Sequence, residues 1–82
     1  MKNRETITLA RMEQGETGVI VEIEGGHNLE ERLDVMGIRE GSRVKKISGQ
    51  LMRGPVTIMA GSTHTAIGYG MAQKILVEVE GK

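Results

Sequence analysis

Few residues in this chain could do chemistry, and their spacing is loose. The chain has two histidines, His27 and His64. His27 is followed closely by Glu30 and Glu31, and one imidazole with two carboxylates is a donor set that suits a divalent ion. A solvated histidine beside a helix start is the plainer reading of the same spacing. His64 lies among Ser62, Thr63 and Thr65, where hydrogen bonding within a turn is the simpler use. No metal site is assigned on this basis; His27, Glu31 and His64 stand as weak candidates. The absence of cysteine removes thiolate zinc sites, disulfides and cysteine nucleophiles together. Ser42, Ser48 and Ser62 have no base placed beside them by any motif. No Gly-x-x-x-x-Gly-Lys-Ser/Thr loop is present, so nucleotide hydrolysis by the P-loop route is excluded. Neither catalysis nor a cofactor is expected.

Binding is the remaining class. Lysine and arginine balance aspartate and glutamate at 11 each, and the one aromatic residue is Tyr69. A nucleic-acid binder needs a basic footprint, and a single-strand binder stacks bases on several aromatics. Neither pattern is here. The charge is uneven along the chain, however. From Glu16 to Asp34 there are six acids and one base, Arg32; from Arg39 to Arg53 there are five bases and one acid, Glu40. Two solvated faces would account for this, and so would a basic strip that docks on an acidic partner. Leu51, Met52 and Arg53 fall on an expected hairpin tip beyond Arg43, Lys45 and Lys46. Exposed apolar residues on a loop ask for a partner, or else they fold back over the end of the core. The candidate contact residues are therefore Arg43, Lys45, Leu51, Met52 and Arg53, with Tyr69 as an outlying one. Ile20 and Leu76, expected on outer strand faces, would form a second apolar patch, pack under the helix or make a self-association contact.

These residues need a scaffold, and 82 residues make one domain, residues 1–82. A chain of this size buries only about 60–65% of its unfolded surface, which leaves no room for a deep pocket beside the core. Twelve glycines and one proline punctuate short apolar runs, the spacing of turns between short strands. Strands are expected at Thr6–Leu9, Thr17–Glu24, Arg43–Ser48, Pro55–Ala60 and Lys74–Glu80. In the second, Val19, Val21 and Ile23 alternate with Ile20, Glu22 and Glu24 and should face the core. In the third, Val44 and Ile47 both face inward only if a bulge or a strong twist intervenes. Between the second and third strands the period changes. Leu29, Leu33 and Met36 form one helical stripe, with Asn28 as N-cap, Glu31 closing a capping box and Gly37 as the stop. Residues 61–65 read as a turn, and 65–73 as mixed structure with a single helical turn near Met71 and Ala72. The expected architecture is mainly β, a small five-stranded partly open barrel with one short α-helix after the second strand.

That pattern resembles a known family. Gly15-x-x-Gly18, Gly25-Gly26 and Arg32-Leu33-x-x-Met36-Gly37-Ile38-x-x-Gly41 are similar to the ferrous iron transport protein A family, FeoA. Gly54-Pro55-Val56-x-Ile58, Ala66-Ile67 and Ala72-x-x-Ile75-x-Val77 extend the likeness from roughly Ile7 to Glu80. Leu33, Met36, Gly37 and Gly41 meet demands of the fold. Arg32 sits beside them without an evident purpose; pairing with Glu22 or Glu24, or capping of backbone carbonyls, is expected of it. Gly68-Tyr69-Gly70 departs from the charged helical turn of the family, so a loop or flexible lip is expected there. The resemblance implies an SH3-like β-barrel, a cytoplasmic location and a role beside FeoB, the ferrous iron permease with a cytoplasmic GTP-binding domain. A module of this kind would sit at the inner face of the membrane through its partner. The N-terminus, with no apolar run behind its charges, is not expected to be a signal peptide, and no apolar run is long enough to insert in a bilayer. The same barrel resembles the C-terminal domain of iron-dependent repressors, which gives a second reading as a metal-sensing regulatory domain.

Overall fold

A computed structural model describes residues 3–48 and 54–81. Six strands form one antiparallel sheet: β1 (Asn3–Thr8), β2 (Thr17–Ile23), β3 (Arg43–Ser48), β4 (Val56–Ala60), β5 (Thr63–Ile67) and β6 (Ile75–Gly81). Their order is β1-β6-β2-β3-β4-β5, so the sheet is not closed and β1 and β5 are its edges. A 3-10 turn at Leu9–Arg11 follows β1. Helix α1 (Gly26–Val35) joins β2 to β3, and a single turn, α2 (Tyr69–Ala72), joins β5 to β6. The core is aliphatic: Leu9, Ile20, Leu33, Ile38, Ile58, Ile67, Ile75 and Val77 are each essentially inaccessible to solvent.

The expected five strands are six. Residues 63–67, read as a turn and a mixed stretch, pair with β4 in an unbroken register from Val56↔Ile67 to Ala60↔Thr63. Gly61 at φ +65° makes the tight reversal that starts this hairpin. Within Thr-His-Thr-Ala-Ile only Ile67 is buried, because β5 is an edge strand, and one buried residue gives no readable alternation. His64 accordingly lies on a strand opposite Met59, not in a turn. The helical turn also forms despite Gly68 and Gly70. Ala72 donates to the Gly68 carbonyl at 2.9 Å, and Ala72 is fully buried while Tyr69 and Met71 pack on the core. Burial of this turn outweighs the low helix propensity of glycine, which is about 1 kcal/mol per residue.

In β2 the expected face is inverted over part of its length. Ile20 pairs with Val77 and Glu22 with Leu76, so Val21 is an extra residue that bulges from the ladder. The bulge resets the two-residue period. Ile20 and Ile23, three apart, both enter the core, and Val21 is 41% exposed. The proposed outer patch of Ile20 and Leu76 does not exist, since Ile20 is 1% exposed. A second bulge lies at Ile47 in β3. It leaves Val44 buried and Ile47 half-buried, and the residue facing inward beside Val44 is Lys46.

Helix α1 keeps its stripe. Leu33 is fully buried, Leu29 nearly so, and Met36 packs on the core. Its end is a Schellman motif: Ile38 donates to Leu33 and Gly37 to Asp34, both at 2.9 Å, with Gly37 at φ +80°. Its start differs from expectation. The helix begins at Gly26 with no side-chain cap, so Asn28 lies inside it and forms no capping box with Glu31. A Cβ on Gly25 would collide with Leu29, so the chain turns into the helix directly over this glycine and the start is drawn back. Glu31 bonds His27 instead, at 2.6 Å one turn away.

Candidate docking face

Strand β3 carries the basic strip, and the sheet sorts it by alternation. Val44 and Lys46 point inward; Arg43 and Lys45 point out on the other face and are exposed. Lys45 is flanked across the ladders by Thr17 of β2 and Met59 of β4, and Arg43 by Val19 of β2. Thr17, Arg43, Val44, Lys45, Met59 and Gly61 line an open cleft of about 270 Å³. Its floor is the half-buried Met59 and its rim the two cations. Neither Arg43 nor Lys45 pairs with a carboxylate among the described residues. Arg43 also borders a polar depression with Arg4, Glu16 and Glu78, in which Arg4 meets Glu78 at 3.3 Å.

Two other cations of the strip, Arg39 and Lys46, serve the fold. Arg39 bonds Asp34 at 3.2 Å beside the end of α1. Lys46 is 3% exposed, and its Nζ donates to the carbonyls of Met12 at 2.6 Å and Ala10 at 3.3 Å. Burial pushes the Lys46 pKa down from the usual 10.5, against a partial upward pull from the Glu16 carboxylate. The signal for Lys46 was present in the sequence, since it shares the parity of Val44. Met59 was legible in the same way, lying between the inward Ile58 and Ala60.

Tyr69 does not join this cleft. It is half-buried on α2 and packs against the core, with α2 resting on the 3-10 turn. Leu51, Met52 and Arg53 lie outside the described residues. Arg43 is at the opposite end of β3 from Ser48, five residues and roughly 17 Å along the strand.

The metal candidates are separated. His27 and Glu31 border a cleft of about 380 Å³ with Ile23, Glu30, Asp34, Arg39 and Glu40. His64 is on β5 and does not line it. Among the described residues no three histidine or acidic side chains are grouped to hold a metal. Ser42, the one serine with side-chain bonds among those considered for chemistry, accepts from the Arg39 N–H and donates to the Gly37 carbonyl, which fixes the turn into β3. No helix among the described residues is long and apolar enough to cross a membrane.

This arrangement of strands and helix has known relatives. The model of the FeoA domain matches residues 7–79. The chain belongs to the FeoA family. A protein of Methanocaldococcus jannaschii named "Putative Fe(2+) transport protein A" is 41% identical over 70 residues, 85% of this chain and 83% of that one. A crystal structure of an iron uptake regulatory protein, FeoA, superposes with a TM-score of 0.86 at 32% identity, over 92% of this chain and 99% of that one. The zinc complex of FeoA from Stenotrophomonas maltophilia, described as a prokaryotic SH3 domain protein, has the same fold, with a TM-score of 0.74 at 21% identity over 87% and 88% of the two chains. The SH3-like architecture is therefore that of FeoA proteins. A manganese-dependent transcriptional repressor shares it as well, with a TM-score of 0.82 at 21% identity, over 96% of this chain but 44% of the repressor. That second likeness is one of fold.

Proposed function

We propose that this FeoA-family chain is an accessory binding protein of ferrous iron uptake, working at the inner face of the membrane by docking on the cytoplasmic part of an FeoB-type permease. The observation that carries the reading is the cleft on β3: an apolar floor at Met59 between two outward cations, Arg43 and Lys45, that have no intramolecular partner among the described residues. Exposed cations beside an apolar patch suit an acidic surface with an apolar anchor, where charge sets on-rate and register and burial of the floor adds affinity. Leu51, Met52 and Arg53, outside the described residues, are further candidate contacts. Family membership supplies the iron-transport setting, and the partner is recognised with no catalytic step in this chain.

Calorimetric titration against the purified cytoplasmic domain of the permease tests this. The double variant Arg43→Glu/Lys45→Glu should weaken binding at least about tenfold while leaving the thermal midpoint unchanged, since both side chains are exposed. Unchanged affinity in the folded variant would remove the face from consideration. Leu51→Asp with Met52→Asp tests those two candidates in the same assay.

A further inference from the structure

Arg32 takes no part in the docking face; in the last turn of α1 its charge suits the helix dipole, which asks for no partner and leaves the guanidinium available. Its side chain is exposed on α1, and it pairs with neither Glu22 nor Glu24 among the described residues. The structure instead places it on a separate cleft of about 430 Å³, between α1 and the segment running through α2 into β6. Leu29 and the half-buried Met71 give this cleft an apolar floor, and Gly25 and Gly70 lie at its margins. Its second cation is Lys74, also without a carboxylate partner among the described residues.

The cleft is a built feature and not a gap between loops. A Cβ on Gly25 would stand 3.3 Å from Lys74 Cδ and would overlap the Leu29 side chain. The bare glycine lets Leu29 and the lysine stem close over the backbone together. The Lys74 main chain is pinned on both sides, its N–H donating to Met71 at 2.9 Å and its carbonyl accepting from Glu24 at 2.6 Å. The ammonium is thus carried on a fixed base. Helix α1 also segregates charge: His27, Glu30, Glu31 and Asp34 line the other cleft, with Ile23 and Arg39, while Arg32 lines this one.

Two cations over an apolar floor select a ligand with both characters. A free inorganic anion would leave the floor uncovered. An anionic membrane is held at about 1 kcal/mol per cation, so two cations give little anchoring. Nucleic acid would want aromatic stacking, and the chain has a single aromatic. A carboxylate beside a large aliphatic side chain fits both parts, since guanidinium binds carboxylate through paired hydrogen bonds. We propose that the α1–α2 cleft is a second binding site that takes an acidic-apolar peptide segment of a partner protein, its carboxylate between Arg32 and Lys74 and its aliphatic side chain on Leu29 and Met71. The site is independent of the β3 face and of the identity of the permease partner.

The test is an NMR titration of the ¹⁵N-labelled full chain with three probes: a capped peptide of alternating leucine and aspartate, the same peptide with asparagine for aspartate, and inorganic phosphate. The acidic peptide should shift the amides of Leu29, Arg32, Gly70, Met71 and Lys74. The asparagine peptide should bind about tenfold more weakly, the factor expected from losing one charge-assisted hydrogen bond. Arg32→Gln combined with Lys74→Gln, both at exposed positions, should weaken the acidic peptide by a similar factor with the rest of the spectrum preserved. The proposal fails if the acidic peptide shifts other residues or none. It fails equally if the asparagine peptide binds as well, or if phosphate alone reproduces the shifts at the same concentration.

Discussion

Lys46 Nζ lies 2.6 Å from the carbonyl oxygen of Met12, at a position where the lysine is 3% exposed. The bond ties β3 to the segment after the 3-10 turn, thirty-four residues earlier in sequence. Main-chain bonds reinforce the tie, Gly15 donating to Lys46 and Lys46 to Glu16 at 2.8 and 2.9 Å. Lys46→Met keeps most of the stem and removes the donor, so it should destabilise the chain by about 1–3 kcal/mol. Urea unfolding of both proteins measures this. An equally stable variant would show that the lysine contributes packing alone.

The same lysine gives a pH signature. Its pKa is lowered from 10.5 by burial, which Glu16 only partly offsets. Between the lowered value and 10.5 the unfolded chain holds the proton that the folded chain has released. Unfolding takes up a proton there, so stability rises with pH; below that window both states are protonated and the contribution is flat. The wild-type unfolding free energy should therefore gain on that of Lys46→Met as pH rises from neutral to about 10. A gap that narrows over that range would contradict the burial.

The bulge in β2 predicts an asymmetry between neighbours. Ile20→Ala should cost about 3–4 kcal/mol, since it empties a fully packed site. Val21→Ala, at the exposed bulge, should stay within about 0.5 kcal/mol. The reverse ranking in thermal or urea unfolding would restore the unbulged register.

Two glycines separate steric from torsional need. A Cβ on Gly18 would stand 2.7 Å from the Glu78 carbonyl oxygen and overlap Val77, so Gly18→Ala forces β2 and β6 apart and should cost about 2–3 kcal/mol. Gly37 has open space but a φ of +80°, so Gly37→Ala carries only left-handed strain of about 1–2 kcal/mol. Calorimetric midpoints of the two variants rank them.

Elements with an uninterrupted period were legible before the fold was known. The α1 stripe of Leu29, Leu33 and Met36 and its stop at Gly37 follow from spacing alone. Bulges defeated that logic in β2. Val19, Val21 and Ile23 form a convincing alternation, yet one extra residue moved Ile20 inward. The helix start escaped because Asn28 is a good cap in isolation, whereas the position is set by Leu29 closing over Gly25. The basic strip was read as one surface; parity separates Lys46 from Lys45, and the pairing of Arg39 with Asp34 is tertiary and leaves no local trace. Arg32 stood out in the motif, but only the fold places Lys74 beside it.

Contact of Arg43, Lys45 and Met59 with a permease is open to direct measurement. It is tested most directly by cross-saturation NMR of the labelled chain bound to the cytoplasmic domain of an FeoB-type permease. Saturation should enter at Thr17, Arg43, Lys45, Met59 and Gly61. Transfer confined to the flank of α1 bearing Glu30 and Glu31, or no transfer at saturating partner, would contradict it.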